Sequence, residues 1–93
     1  MIREHYYISG RVQGVGFRYR AYYTAQALGV TGYVKNMWDG RVELELQGEA
    51  FAVHEFLGRV EAGSFIEIHG IERYDMEVQP DEREFTIESG SSY

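Results

Sequence analysis

The order of hydrophobic periodicities along the 93 residues predicts an α+β fold: a ferredoxin-like βαββαβ sandwich with an extra C-terminal strand, an antiparallel sheet carrying two helices on one face. Three observations carry this expectation. Two segments with apolar residues at helical spacing each lie between segments that alternate every second residue. An Asp39-Gly40 pair joins the two central alternating segments in the manner of a hairpin. A single proline, Pro80, and no low-complexity linker leave one domain over residues 1–88 and a short mobile tail over 89–93.

The first element is a strand over 4–12, with Tyr6, Ile8 and Val12 on one face and Tyr7, Ser9 and Arg11 on the other. Phe17, Ala21, Ala25 and Leu28 then recur at helical spacing, and Gly29 follows as a left-handed C-terminal residue, so a helix spans about 18–28. Val30, Gly32, Val34 and Asn36 alternate with Thr31, Tyr33 and Lys35. After the Asp39-Gly40 turn, Val42, Leu44 and Leu46 alternate with Glu43, Glu45 and Gln47. Val53, Phe56, Leu57 and Val60 mark a second helix over 49–61, with Glu49 near its positive end and Gly63 past its negative end. Ile66 to Val78 reads as a long strand bent at Gly70, and Phe85 and Ile87 as a short last one.

A chain of this length buries only about 60 to 65 % of its unfolded surface, so its 8 tyrosines, 5 phenylalanines and one tryptophan matter for the area they supply. The absence of cysteine excludes disulfides, thiolate metal sites and a cysteine nucleophile. No apolar run reaches membrane-spanning length and the N-terminus lacks the character of a secretory signal, so a soluble cytoplasmic protein without membrane association is expected. A net charge of −6 disfavours sequence-independent nucleic-acid binding. That charge is unevenly spread: residues 1–41 hold six cations against two anions, and residues 42–93 three cations against thirteen anions. An anionic ligand would therefore find its site in the first part.

Residues 10–18 read Gly10-Arg11-Val12-Gln13-Gly14-Val15-Gly16-Phe17-Arg18, a strand leading through a loop with two glycines into a helix with arginine in its first turn. Glycines let successive N–H groups converge, the helix N-terminus adds unpaired donors and partial positive charge, and a guanidinium grips phosphate oxygens bidentately. Taken alone, such a loop reads more readily as a simple turn with a surface arginine. It lacks the lysine and Ser/Thr pair of the Walker loop and the third glycine of the dinucleotide fingerprint.

The full string resembles the acylphosphatase signature G-x-V-Q-G-V-x-F-R at every defined position. Gly32-Tyr33-Val34-Lys35-Asn36 resembles that family's second signature, G-x-V-x-N, and Asp39-Gly40-x-Val42-Glu43 with Gln47-Gly48 continues the likeness. It spans residues 4–88 and is strongest over 8–48. The resemblance implies hydrolysis of the carboxyl-phosphate bond of acyl phosphates by a monomer that needs neither metal nor other cofactor, with inorganic phosphate as product and competitor. By position it implies that Arg18 binds phosphate and is catalytic, that Asn36 orients the attacking water, and that Gln13, Gly14, Val15, Gly16 and Phe17 form the substrate cradle with Arg18. Asparagine at this position also reads as a residue that caps the hairpin turn.

His5, His54 and His69 fall in different elements, without metal-ligand spacing. Glu43 and Glu45, and the Asp81-Glu82-Arg83-Glu84 cluster, read as solvated faces, and Ser9 and Ser64 have no identifiable base. Trp38, beside the hairpin turn, reads as a wall of the substrate mouth, as an exposed turn aromatic or as a packing residue. Two other functions fit the same elements: a non-catalytic ligand or RNA-binding module, and a carbamoyl-phosphate-processing module. Glutamates on the facing strand argue against RNA on the sheet.

Overall fold

The computed structural model describes residues 1–89. Of the tail expected over 89–93, all but Ser89 lies outside the described residues. In chain order the elements are β1 (Ile2–Arg11), α1 (Phe17–Leu28), β2 (Thr31–Asn36), β3 (Val42–Gly48), α2 (Ala50–Glu61), β4 (Glu67–Met76) and β5 (Phe85–Ile87). They form one sheet in the order β4-β1-β3-β2-β5, with both helices packed on it. No helix among the described residues is long and apolar enough to cross a membrane.

The central strands pair antiparallel, with Ile8 opposite Val42 between β1 and β3, and Asn36 opposite Val42 between β2 and β3. This register places the end of β2, where Asn36 sits, beside the end of β1, where the glycine loop begins. The added strand β5 runs parallel to β2, so the sheet is mixed and not antiparallel throughout. Between β1 and β4 the ladder slips by one residue: Ser9 pairs with Gly70 and Gly10 with Ile68, leaving His69 as the extra residue at the expected bend.

The core lies between sheet and helices. Ala21 and Ala25 of α1, with Val53, Phe56 and Val60 of α2, close over Ile8, Val34, Leu44 and Leu46, all nearly inaccessible. The helical spacing of these apolar positions is what brings them to a common face. Gly29 ends α1 in the left-handed conformation, its N–H bonded to Ala25 O. β4 departs from the expected burial: Ile71, opposite the core residue Ile8, is about half exposed because an edge strand with one neighbour reaches past the cover of the helices, and Tyr74 and Met76, opposite His5 and Arg3, lie on the face of the sheet that the helices do not cover.

The open face of the sheet is also more buried than charge patterning predicted. Glu45 is 5 % exposed, Arg3 is still more enclosed, and His5 is nearly as buried. The reading of Glu43 and Glu45 as a solvated face is therefore corrected. Arg3 donates to Glu45 and to Gln47, and His5 pairs with Glu45. Tyr33 donates to Glu43 at 2.7 Å. The Glu82 carboxylate folds back over the same face to accept from Arg3 at 2.8 Å and from Thr31 at 2.7 Å. Strand alternation sends these polar side chains to one surface, and long side chains paired across strands shield one another from water.

Candidate active site

The turn from β1 into α1 is built by two glycines in the left-handed region, Gly14 at φ 74° and Gly16 at φ 83°, separated by Val15 in an ordinary conformation. A Cβ added at either glycine would meet nothing within 4 Å. Conformation and not space therefore demands glycine there. Left-handed residues in a turn that enters a helix let successive N–H groups face a common side. Val15 lies half-buried against the core and anchors the loop between the two glycines.

Gly16 is the N-cap of α1 and has no side chain with which to satisfy the helix end; the first turn contains no acidic residue. The first main-chain bond of the helix runs from Arg20 N to Gly16 O at 3.1 Å, which leaves the N–H groups of Phe17, Arg18 and Tyr19 outside the helix's own bonding. Three unpaired donors and the positive end of the helix dipole are an electrostatic invitation to an anion.

These groups border a recess of about 150 Å³ lined by Val12, Gly14, Gly16, Arg18, Tyr19 and Asn36, with Phe17 behind them. The structure thus gathers Gly14, Gly16, Phe17, Arg18 and Asn36 of the sequence expectations in one place. Among the described residues, Arg18 and Arg11 are the cations without a protein partner. The others are committed: Arg3 to Glu45 and Glu82, Arg20 to α2, Lys35 to Glu43, Arg41 to Asp39, Arg59 to Glu55, Arg73 to Glu4 and Arg83 to Pro80 O.

Asn36 supplies the second polar feature. Its Oδ1 is buried and has no hydrogen-bond partner among the described residues, although Asn36 lines the same recess as Arg18. A buried acceptor left unmade costs free energy unless a ligand or water completes it. Asn36 is on the core-facing side of β2, in phase with the buried Val34, which is why its side chain turns toward α1 and not toward the open face.

The hairpin that follows is fastened at its tip. Arg41 donates through its backbone N–H and Nε to the Asp39 carboxylate, at 3.1 and 2.9 Å, and these contacts, the backbone one foremost, hold that carboxyl below its usual range. The Arg41 guanidinium also stands 5.0 Å over the Tyr7 ring. Trp38 is 76 % exposed and does not line the recess, so it is an exposed turn aromatic and neither a wall of the recess nor a packing residue.

Among the wider hollows elsewhere are one of about 550 Å³, lined by Glu4, Asp75 and the already paired Arg3 and Arg73, and two more. One of about 420 Å³ between the helices is bordered by Arg20, whose guanidinium is already bound to α2 carbonyls. The other, about 660 Å³ on the open sheet face, has the His5–Glu45 pair in its lining together with Tyr7, Tyr33 and Tyr74, and Glu43 and Glu72 close by. That carboxylate surround repels an anion. The smaller recess combines a free guanidinium, unpaired main-chain donors and an orphaned amide. The sequence reading did not find Tyr19 or Val12 in its lining; Tyr19 follows Arg18 in the exposed first turn, where helical rotation alone does not separate lining from solvent.

A ferredoxin-like sheet with two helices packed on it, and a glycine-built turn from its first strand into its first helix, defines a class of α+β sandwich proteins. A family model described as Acylphosphatase matches residues 4–87. An acylphosphatase of Geobacillus thermodenitrificans is 45% identical over 91 residues, covering 97% of both chains. One of Geobacillus kaustophilus is 43% identical and covers 100% of both. The crystal structure of acylphosphatase from Bacillus subtilis superposes with a TM-score of 0.84 at 35% identity, covering 94% of this chain and 98% of that one. T. kodakarensis HypF gives a TM-score of 0.81 at 30% identity over 99% of this chain but 12% of its own length. The chain belongs to the acylphosphatase family, enzymes that act on acyl phosphates.

Proposed function

We propose that the recess at the head of α1 binds the phosphoryl group of an acyl phosphate, that Arg18 neutralises its charge during transfer, and that Asn36 orients the attacking water. The observation carrying this reading is the unpartnered Oδ1 of Asn36 beside the unpartnered guanidinium of Arg18. An acceptor beside an anion cradle has a use when it takes a hydrogen bond from water and turns the water oxygen toward phosphorus. A carboxylate in its place would repel the substrate dianion, whereas a neutral amide does not.

Water oxygen forms the new bond to phosphorus as the bond from phosphorus to the carboxyl oxygen breaks. The carboxylate leaves with that electron pair, and one water proton passes to a phosphoryl oxygen of the substrate, giving dihydrogen phosphate. A carboxylate is a good leaving group, so no strong general acid is required. Positioning and charge stabilisation carry the catalysis. The recess is lined by arginine, asparagine, main-chain amides and apolar side chains, a donor set suited to an anion and not to a divalent cation.

The test is hydrolysis of benzoyl phosphate in excess chelator, with a phosphate monoester as control. Turnover of the acyl phosphate alone, unaffected by chelator, is the expected result. Equal cleavage of both substrates, or activity lost to the chelator, overturns the proposed chemistry.

A further inference from the structure

We infer that Gln13 is a positioning residue: its side-chain amide clamps the hairpin bearing Asn36 to the glycine loop and so sets turnover through Asn36. The inference rests on the reading of Asn36 as the residue that orients water. Gln13 Nε2 donates to Met37 O at 2.8 Å and to Arg41 O at 2.8 Å. Met37 follows Asn36 directly, and Met37 N bonds in turn to Arg41 O at 2.8 Å. Both hydrogens of one amide nitrogen are thus committed to carbonyls on either side of the hairpin turn, and that side-chain nitrogen has none left for a phosphate oxygen.

The chemistry of the clamp selects glutamine. Two carbonyl acceptors converging on one nitrogen require an NH₂ group, which glutamate of the same length lacks. Asparagine carries the amide one methylene short of the hairpin. Methionine fills similar space without a donor. The glycine loop and the hairpin are separate pieces of chain, and Arg18 and Asn36 act on one substrate only if their spacing is held. A displacement of about 1 Å at a reacting centre costs on the order of 10²-fold in rate.

The experiment compares Gln13→Met, Asn36→Ala and the double variant, reading kcat for benzoyl phosphate and Kd for inorganic phosphate on each. Gln13→Met is expected to lower kcat by about 10-fold or more with phosphate Kd changed less than about twofold, and to have no further effect on kcat once Asn36 is alanine. Should Gln13→Met not fold, Gln13→Asn is read in its place and should show the same pattern. Unchanged kcat, an equal loss in phosphate affinity, or the same fall in kcat in both backgrounds overturns the clamp while leaving Asn36 its role. Normal turnover in Asn36→Ala itself overturns the reading of Asn36, and the clamp with it.

Discussion

Arg20 donates from Nε to the carbonyl oxygen of Val60 at 2.7 Å, closing the last turn of α2 from a side chain of α1. Its Nη2 reaches Ala62 O at 2.7 Å as well. Arg18, two residues earlier, is turned about 200° around the helix axis and points to the anion recess. Two arginines in one helical turn thus serve opposite ends of the molecule's needs, one capping carbonyls and the other left free.

Their substitutions should therefore separate. Saturating inorganic phosphate, at roughly 100 times Kd, adds about 2.7 kcal/mol to a protein that binds it only when folded. For a domain of this size that raises the melting temperature by roughly 10 °C or more. Arg18→Ala should abolish both the shift and turnover at nearly unchanged intrinsic stability. Arg20→Ala should lower stability by about 1 to 2 kcal/mol, since hydrogen bonds from a charged donor are lost from a half-exposed site, and keep the phosphate shift. Arg59→Ala, whose side chain pairs with Glu55 on the solvent side of α2, should keep both.

Asn36→Ala is expected to lower kcat by on the order of 10²-fold, the scale for losing one preorganised polar contact in a transition state. Because Oδ1 has no partner to lose among the described residues, the melting temperature should stay level or rise. Kinetics and melting on the same preparation check this: a loss of about 1 kcal/mol in stability with normal turnover would assign Asn36 to the turn alone.

Gly16→Ala should cost about 1 kcal/mol or more through its left-handed backbone, and should weaken phosphate binding because the converging N–H groups are displaced. Gly63→Ala supplies the comparison, with a similar φ of 66° and equally open surroundings beyond α2. It should lose comparable stability and bind phosphate normally. Isothermal titration of both variants reads the difference.

The Glu82 carboxyl provides the pH dependence. Burial pushes its pKa up, but the hydrogen bonds from Arg3 and Thr31 outweigh burial and hold it below the usual glutamate value. A folded-state pKa lowered in this way contributes stability above the unfolded value, and the contribution is lost as pH falls through the folded value. The stability gap between wild type and Glu82→Gln should be constant above about pH 5 and should close progressively below about pH 4. Denaturant melts across that range measure it, and a gap that widens on acidification would contradict the sign.

Element by element, local pattern was sufficient where one short stretch carries its own physics. The spacing of Phe17, Ala21 and Ala25 makes a helix wherever it occurs, Gly29 ends it because left-handed backbone favours glycine, and Asp39-Gly40 turns the chain. The Gly14-Val15-Gly16 turn and the arginine after Phe17 were legible for the same reason, since a strand-to-helix turn is built from consecutive residues. What only the tertiary structure decided lies between residues far apart in the chain. That Glu45 is buried follows from Arg3 and His5 reaching it across the sheet, a pairing forty or more positions apart that alternation of charge does not encode. The parallel course of β5, the choice of Arg20 for α2 and Arg18 for the recess, and the reach of Gln13 to the hairpin depend likewise on which strands and helices become neighbours. Periodicity acts over a few residues, whereas register and side-chain pairing are settled by how the packed layers meet.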